Sequence, residues 1–223
     1  MTLEEYRRTY TADDAAPGWD AIDARLRPIY PGIEPQHWGT VIKHMLGGPD
    51  PIDGVSVYPC AQVSGKHHHY VTYGFSSLYY DEEAVGGDFS KYGFELTFRL
   101  KPEADEGDVP PVWVVNLIQN IARYVFKTGK CFDDFHWIPA NGPIRAESET
   151  EITGLIFVTD PVLGVIATPH GEVKFLQMVG VTDAEINAIK NKQLDAAALI
   201  QRLAEDDTLL VTDLERRVSF LDV

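Results

Sequence analysis

The chain has 223 residues, 44% hydrophobic and 11% aromatic, which is enough to bury a core in one large domain or two small ones. Its net charge of -15, from 34 acidic and 19 basic side chains, disfavours binding to nucleic acid or to anionic membrane surfaces and favours a basic partner. The sequence has no signal peptide and no apolar run of membrane-spanning length, so we expect a cytoplasmic protein with two free cysteines.

The N-terminal third of the chain predicts one helix and two strands. Residues 1–16 are polar and weakly patterned, which indicates an arm or a frayed helix. Apolar residues recur at helical spacing over 17–29, as in an amphipathic helix. A loop rich in Gly and Pro, over 46–51, then leads to predicted strands over 52–58 and 69–75.

The strongest pattern in the chain is a strict alternation over 94–101. Apolar side chains at Phe94, Leu96, Phe98 and Leu100 alternate with polar ones at Glu95, Thr97, Arg99 and Lys101. A period of two indicates a strand with one buried and one polar, solvent-facing side. We expect this strand to be the central one, to which earlier and later pieces of the chain add.

The next part of the chain predicts a loop, a helix and two more strands. The acidic stretch 102–110 is typical of a surface loop. Residues 112–128 carry an apolar stripe at helical spacing and are followed by Gly129, a residue favoured just after a helix. Apolar runs over 152–159 and 173–179 predict buried strands.

The C-terminal part predicts two helices and short extended pieces. Thr182 and Glu185 have the spacing of a capping box, which indicates a helix that continues to about Lys190. A second helix over 195–204 and a short strand over 209–212 follow. This order of elements predicts an α+β fold in which helices pack on a mostly antiparallel mixed β-sheet.

The histidine run His67–His69 is the main candidate for catalytic chemistry. Neighbouring residues of a strand face opposite sides, so only His67 and His69 share a face, and their spacing matches no known zinc pattern. We therefore expect no metal and no cofactor. The alternative is a metal-dependent or acid–base hydrolase that combines this run with loop carboxylates such as those over 81–83. A third hypothesis is that the chain is a structural or assembly subunit.

Tyrosines crowd around the acidic residues 81–83. They are Tyr70, Tyr73, Tyr79, Tyr80 and Tyr92, with Phe75 among them. Such side chains are typical of protein- or peptide-recognition surfaces, and equally of a β-rich core edge that needs them for packing.

Several runs of the chain, in order, resemble the Suppressor of fused domain family. They are LGGPDPID at 46–53, HYVTYGFSSLY at 69–79, GFELTFRL at 93–100, ARYVF at 122–126, FLQMVGVT at 175–182 and LVTDL at 210–214. The resemblance covers residues 25–220. It implies a single α+β domain over 25–223, preceded by an arm and the start of the first helix over 1–24.

The resemblance also implies a non-enzymatic, protein-binding role. Longer animal members of the family restrain transcription factors of the Hedgehog pathway, and they clamp a partner peptide as an added strand between two domains. Some short bacterial members, which this chain resembles, are thought to act as immunity proteins that neutralise toxins. A protein or peptide partner, with a toxin as one form of it, is the expectation for this chain.

The same resemblance points to a binding surface. Glu95 matches the glutamate of the family's Phe-Glu-Leu-Thr-Phe run, and Ser77 stands where the family usually has an aspartate before Leu-Tyr. If residues 69–77 pair with 93–100, strand parity brings Tyr73, Ser77, Tyr79 and Glu95 into one solvent-facing patch. We expect this patch to be the protein- or peptide-binding site.

Overall fold

One mixed β-sheet of eight strands carries the fold, in a computed structural model that describes residues 1–42, 44–61, 64–103 and 109–221. The strands are β1 (Gln36–Gly39), β2 (Gly54–Cys60), β3 (His67–Tyr73), β4 (Phe89–Leu100), β5 (Trp137–Pro139), β6 (Ile152–Thr159), β7 (Val165–Thr168) and β8 (Gly171–Thr182). The helices of the same ranges are α1 (Leu3–Thr9), α2 (Pro17–Leu26), α3 (Trp113–Thr128), α4 (Asp183–Lys190) and α5 (Ala196–Asp206).

The sheet confirms the predicted fold class. Its strand order is β1-β2-β3-β4-β8-β6-β5, with β7 paired to β8 beside this path. The pair β4–β8 is parallel, and the other strand pairs are antiparallel. The strand with the strict alternation therefore lies in the middle of the sheet, as expected.

Most element bounds agree with the sequence pattern, and the differences have local causes. Helix α2 ends at Leu26 rather than residue 29, just before Pro28. The short strands β1, β5 and β7 were not predicted, because three or four residues are too few to show a period. The predicted strand over 209–212 reduces to a single bridge between Leu100 and Thr212. Within the predicted loop 102–110, residues 104–108 lie outside the described part of the chain.

One face of the sheet packs against α3. The apolar side of β4, from Phe94 to Leu100, joins Leu176 and Met178 of β8 and the buried stripe of α3 in one hydrophobic cluster. The helix ends at Gly129, whose φ of 69° is the left-handed conformation that glycine adopts without strain. This face holds the largest core of the molecule.

The other face carries two separate hydrophobic clusters. Helix α2 packs against Val71 of β3 and Phe175 of β8, and α4 and α5 pack against Val179 and Val181 of β8. Polar side chains lie buried on the strands between these clusters. Helices and loops therefore cover both faces of the central strands.

This double covering corrects the prediction that the polar side of β4 faces solvent. Glu95 and Thr97 are 0% exposed and Arg99 is 2% exposed. Alternation shows that the two sides of a strand differ in polarity, but it does not show that the polar side meets water. In β4 the polar side chains instead make buried hydrogen bonds and ion pairs.

Helix α1 packs on the rest of the molecule through the buried side chain of Tyr6. A capping box of Thr2 and Glu5 starts α1. Tyr6 of this helix is buried, and its hydroxyl lies 2.8 Å from Nε2 of His170 and accepts a hydrogen bond from the amide of Asp81. None of the helices in the described ranges is both long enough and apolar enough to cross a membrane.

The buried position of Phe98 yields a prediction about stability. Phe98→Ala removes a fully buried ring next to Tyr70 and Trp113, so we expect a loss of about 3–5 kcal/mol in the free energy of unfolding, measured by urea titration. Phe89→Ala, in the same strand but 65% exposed, is the matched control and should cost less than about 0.5 kcal/mol. Similar losses for the two variants would contradict this assignment of the strand faces.

Candidate functional site

Two of the four predicted site residues are buried. Glu95 is 0% exposed and Tyr73 is 1% exposed, so neither belongs to a solvent-facing patch. The hydroxyl of Tyr73 donates to Oδ1 of Asp23 at 2.8 Å, and its ring stacks on Trp19 with centroids 4.3 Å apart. Helix α2, which carries Trp19 and Asp23, covers this part of the sheet, and strand parity alone does not show such a covering.

The carboxylate of Glu95 accepts hydrogen bonds from the chain that leaves β3. Its donors are the hydroxyls of Thr72 and Ser76, each at 2.6 Å, the amides of Gly74 and Ser76, each at 2.9 Å, and the amide of Phe75 at 3.4 Å. Burial raises the pKa of Glu95, and these donors act in the opposite direction. The carboxylate thus provides hydrogen-bond acceptors for backbone amides that have no partner strand once β3 and β4 separate.

The pairing of β3 with β4 stops at Val71 and Thr97, and the segment 74–78 then crosses beside the start of β4. Side chains of β4 hold this segment: the ammonium of Lys91 donates to the carbonyl of Gly74 at 2.8 Å, and the hydroxyl of Ser90 accepts from the amide of Ser77 at 2.9 Å. From the other side, the amide of Gly18 in α2 donates to the carbonyl of Leu78.

The approach of α2 to this segment requires glycine. A Cβ atom at Gly18 would lie 2.0 Å from the carbonyl oxygen of Ser77, well inside any permitted contact. The helix therefore begins directly against the backbone of the 74–78 segment. Together with Glu95, this contact determines where the residues that follow emerge at the surface.

The residues that emerge are tyrosines. Tyr79 is 42% exposed and Tyr80 is 36% exposed. The hydroxyl of Tyr79 donates to Oδ1 of Asp53 at 2.7 Å, and that of Tyr80 donates to Glu82 at 2.7 Å. Ser77 is half-buried at the base of this region. We call Asp53, Ser77, Tyr79 and Tyr80 the Tyr79 surface.

Exposed apolar residues lie beside the Tyr79 surface. The amide of Thr40 donates to the carbonyl of Asp53 at 2.8 Å, which places the next two residues at this edge. Those residues, Val41 and Ile42, are 98% and 54% exposed. Together with Val41 and Ile42, the Tyr79 surface thus combines tyrosine rings, aliphatic side chains and a carboxylate, a composition suited to protein recognition.

Two histidines of the run, His67 and His69, belong to a buried polar cluster. Arg99 donates through Nη2 to both oxygens of Asp160 at 3.2 Å, and Thr97 donates to the same carboxylate at 2.9 Å. His69 is bonded on both sides: Nε2 lies 3.2 Å from Asp160, and Nδ1 lies 2.5 Å from the hydroxyl of Tyr30. The neutral imidazole that donates from Nε2 and accepts at Nδ1 satisfies both contacts.

The pKa shifts in this cluster follow from burial and from charge. Burial, and then the charge of Arg99, lower the pKa of His69 to about 4. For Asp160, burial raises the pKa, but the hydrogen bond with His69 and the charge of Arg99 outweigh it, so the pKa lies below its usual value. The cluster at neutral pH is an ion pair with a neutral histidine.

This arrangement bears on the metal-dependent alternative. His67 bonds the carbonyl of Gly65 through Nδ1, and its Nε2 lies 3.4 Å from Nη1 of Arg99. A guanidinium beside both His67 and His69 repels a metal cation at that place. In the described ranges, no three or more His, Cys, Asp and Glu side chains are grouped so that they could hold a metal ion.

Comparison with known proteins identifies a family. A family model described as Suppressor of fused protein (SUFU) matches residues 48–217. The Suppressor of fused homologs of Homo sapiens and Mus musculus are each 35% identical to the chain over 220 residues, covering 92% of the chain and 44% of the relative. The chain therefore spans less than half the length of these relatives.

Solved structures show the same similarity. The crystal structure of the Sufu-Fu complex matches with a TM-score of 0.84 and 33% identity, covering 92% of this chain and 93% of that one. The crystal structure of Drosophila Suppressor of Fused matches with a TM-score of 0.80 and 32% identity, covering 92% of this chain and 51% of that one. A putative homolog from Neisseria gonorrhoeae, at 10% identity and a TM-score of 0.59, shares the fold; the match covers 91% of this chain and 96% of that one.

The hydrogen bonds of Glu95 predict a large cost for its removal. Glu95→Ala leaves three buried backbone amides without an acceptor, so we expect a loss of at least about 3 kcal/mol in the free energy of unfolding, measured by urea titration. Glu172→Ala, which removes an exposed glutamate of β8, should cost less than about 0.5 kcal/mol. A loss below about 1 kcal/mol for Glu95→Ala would show that water satisfies these amides.

The lowered pKa of His69 predicts a pH-dependent stability. Between pH 6.5, the usual pKa of histidine, and about 4, the unfolded chain takes up a proton at His69 that the folded chain does not. Stability therefore falls as the pH falls through this window, by about 2 kcal/mol between pH 7 and 5. His69→Gln, which keeps an acceptor and a donor but does not titrate, should show a drop smaller by this amount in urea titrations. Equal drops for both proteins would contradict the assignment.

Proposed function

This chain belongs to the Suppressor of fused family, and on that premise we propose that it is a non-enzymatic protein-binding module that recognises its partner through the Tyr79 surface. The observation that carries the proposal is the similarity, over 93% of its chain, to a family member that was crystallised in the Sufu-Fu complex. That relative, whose chain has this fold and length, was crystallised in complex with another protein.

The composition of the Tyr79 surface supports the choice of this region. Tyrosine rings give rigid contact area at a low cost in conformational entropy, and the neighbouring Val41 and Ile42 extend an apolar patch. Ser77 and Tyr79 belong to the run through which the family resemblance places peptide contacts. In this proposal Ser77 and Tyr79 contact the partner, while Glu95 and Tyr73 position them from below.

The charge of the chain supports a basic partner and disfavours nucleic acid. A net charge of -15 attracts a cationic surface over the range of a Debye length and accelerates encounter with it. Ser77, in place of an aspartate, leaves the Tyr79 surface itself less acidic. The rest of the surface supplies the long-range attraction, and the tyrosines supply the local contact.

A finer form of the proposal is an immunity protein of a bacterium, acting in the cytoplasm, that neutralises a toxin. Toxins that act on nucleic acids need basic surfaces, which an acidic protein complements. Co-production with the product of an adjacent gene tests this form: we expect the chain to relieve a growth arrest that this product causes. An arrest that is equally strong with and without the chain would contradict it.

The metal-dependent or acid–base hydrolase has less support. His67 and His69 are buried beside Arg99, and the loop carboxylate of Glu82 is paired with Arg7 at 2.5 Å. The two histidines therefore belong to a buried structural cluster, and Glu82 is held in an ion pair at the surface.

A capture experiment tests the Tyr79 surface. With the full chain as bait in an extract of its own cells, we expect Tyr79→Ala to reduce the recovery of a specific partner at least about tenfold, because truncation of a tyrosine anchor typically costs 2 kcal/mol or more. Tyr79→Phe, which keeps the ring, should retain most of the partner. The matched control is Tyr124→Ala, since Tyr124 of α3 is 44% exposed.

Thermal unfolding of each variant separates loss of binding from loss of the fold. The proposal is wrong if Tyr79→Ala stays folded and keeps every partner of the wild-type chain.

A further inference from the structure

An aromatic groove lies beside the Tyr79 surface, between α2, the segment 30–37 and strands β2 and β3. Its volume is about 540 Å³. Two stacked ring pairs line it, Trp19 on Tyr73 and Tyr30 on Tyr58, each with centroids 4.3 Å apart. The ring of His37 lies 5.5 Å from that of Trp19. Tyr73, Tyr58 and Tyr30 are buried at 1%, 6% and 8% exposure, so the half-buried ring of Trp19 and the exposed ring of His37 provide the accessible aromatic surface.

Two carboxylates line the same groove. Oδ1 of Asp23 accepts the hydroxyl of Tyr73, and Glu34 is exposed at the rim. Within the described part of the chain, neither carboxylate has a basic nitrogen within 4.0 Å. Arg27 also lines the groove, one helical turn after Asp23, without pairing to either acid.

The charge of Asp23 reaches the base of the groove. Burial, followed by this charge, raises the pKa of both Tyr73 and Tyr58. Burial lowers the pKa of His37, so this ring is neutral at neutral pH and adds no positive charge. With two carboxylates, Asp23 and Glu34, against one guanidinium, that of Arg27, the lining of the groove carries a net negative charge.

We propose that this groove binds the guanidinium group of an arginine side chain that a protein partner presents. A cation is attracted to the faces of aromatic rings, most strongly to those of tryptophan. The planar guanidinium can stack on such a ring while its N–H groups reach a carboxylate, here Asp23 or Glu34. Ile33 and Pro35 at the rim provide apolar surface for the methylene stem of the side chain.

The inference rests on the proposed function and specifies the partner's anchor. The groove adjoins the Tyr79 surface, because the amide of Trp19 donates to the carbonyl of Leu78 at 3.3 Å, one residue before Tyr79. A segment that contacts Tyr79 can therefore place a neighbouring side chain in the groove. Lysine fits less well than arginine, because its ammonium is more strongly hydrated and cannot stack as a plane.

Titration with short blocked peptides tests the groove directly. The probes are acetyl-Gly-Xaa-Gly-amide peptides in which Xaa is arginine, lysine or citrulline, the last being a neutral analogue of arginine. The readout is the indole N–H resonance of Trp19 in ¹⁵N-labelled full chain, assigned with Trp19→Phe. We expect a saturable shift with the arginine peptide, with a Kd on the order of 1 mM, as suits a single anchor. Lysine should bind several times more weakly, and citrulline at least about tenfold more weakly.

Charge variants show whether the carboxylates are responsible. Asp23→Asn keeps an acceptor for Tyr73 but removes the charge, and should weaken the arginine peptide about tenfold; Glu34→Gln should weaken it by a smaller factor. Asp20→Asn, on the exposed side of α2 and outside the groove, is the matched control and should bind as the wild-type chain does. Thermal unfolding confirms that each variant is folded.

Three outcomes would overturn the inference. They are no saturable shift at Trp19 with the arginine peptide, equal binding of citrulline or lysine, and equal binding by folded Asp23→Asn. The result is separable from that of the capture experiment, which depends on Tyr79. If Tyr79→Ala loses a partner but the arginine peptide does not bind, the proposed function stands and the groove proposal is wrong. If the arginine peptide binds but no partner depends on Tyr79, the groove proposal stands and the proposed binding through Tyr79 is wrong.

Discussion

The buried carboxylate of Glu95 is the interaction on which the proposed binding region of this molecule depends. Strands β3 and β4 part after Val71 and Thr97, and the crossing segment would leave its amides unsatisfied in a covered sheet. Three hydrogen bonds to this one side chain satisfy the amides, and two more from the hydroxyls of Thr72 and Ser76 help to keep the segment against α2. The positions of the exposed tyrosines and of the aromatic groove follow from this local geometry.

The ion pair of Arg99 and Asp160 has a different role. It lies between two hydrophobic clusters that cover the same face of the sheet, and it joins β4 to the turn after β6. Burying two charges costs about as much as their attraction returns, so the pair adds little net stability, although loss of one partner costs about 3–5 kcal/mol. Its main effect is geometric, because each partner also binds neighbours, such as His69 and Thr97 at the carboxylate, that hold it in one place.

The proposed binding surfaces form one continuous region of the molecule. Helix α2 supplies the aromatic groove with Trp19 and Asp23, and its first turn contacts the backbone that leads to Tyr79. Stacked rings lose little entropy on binding, so such a region needs little rearrangement to recognise a partner. The acidic character of the chain extends the reach of this region through long-range attraction.

The sequence by itself determined the central strand, α3, the capping box at Thr182, the α+β class and the family, because these depend on local periods and on runs of residues in order. It also placed the apolar side of β4 correctly. Only the tertiary structure decided that the polar side is buried as well, because a period of two records a difference between faces and not what covers them. For the same reason Glu95 and Tyr73, which strand parity predicts at the surface, lie in the interior, whereas Tyr79 is exposed. The groove was beyond prediction, since Trp19, Glu34, Tyr58 and Tyr73 lie far apart in sequence and meet only when α2 docks on the sheet.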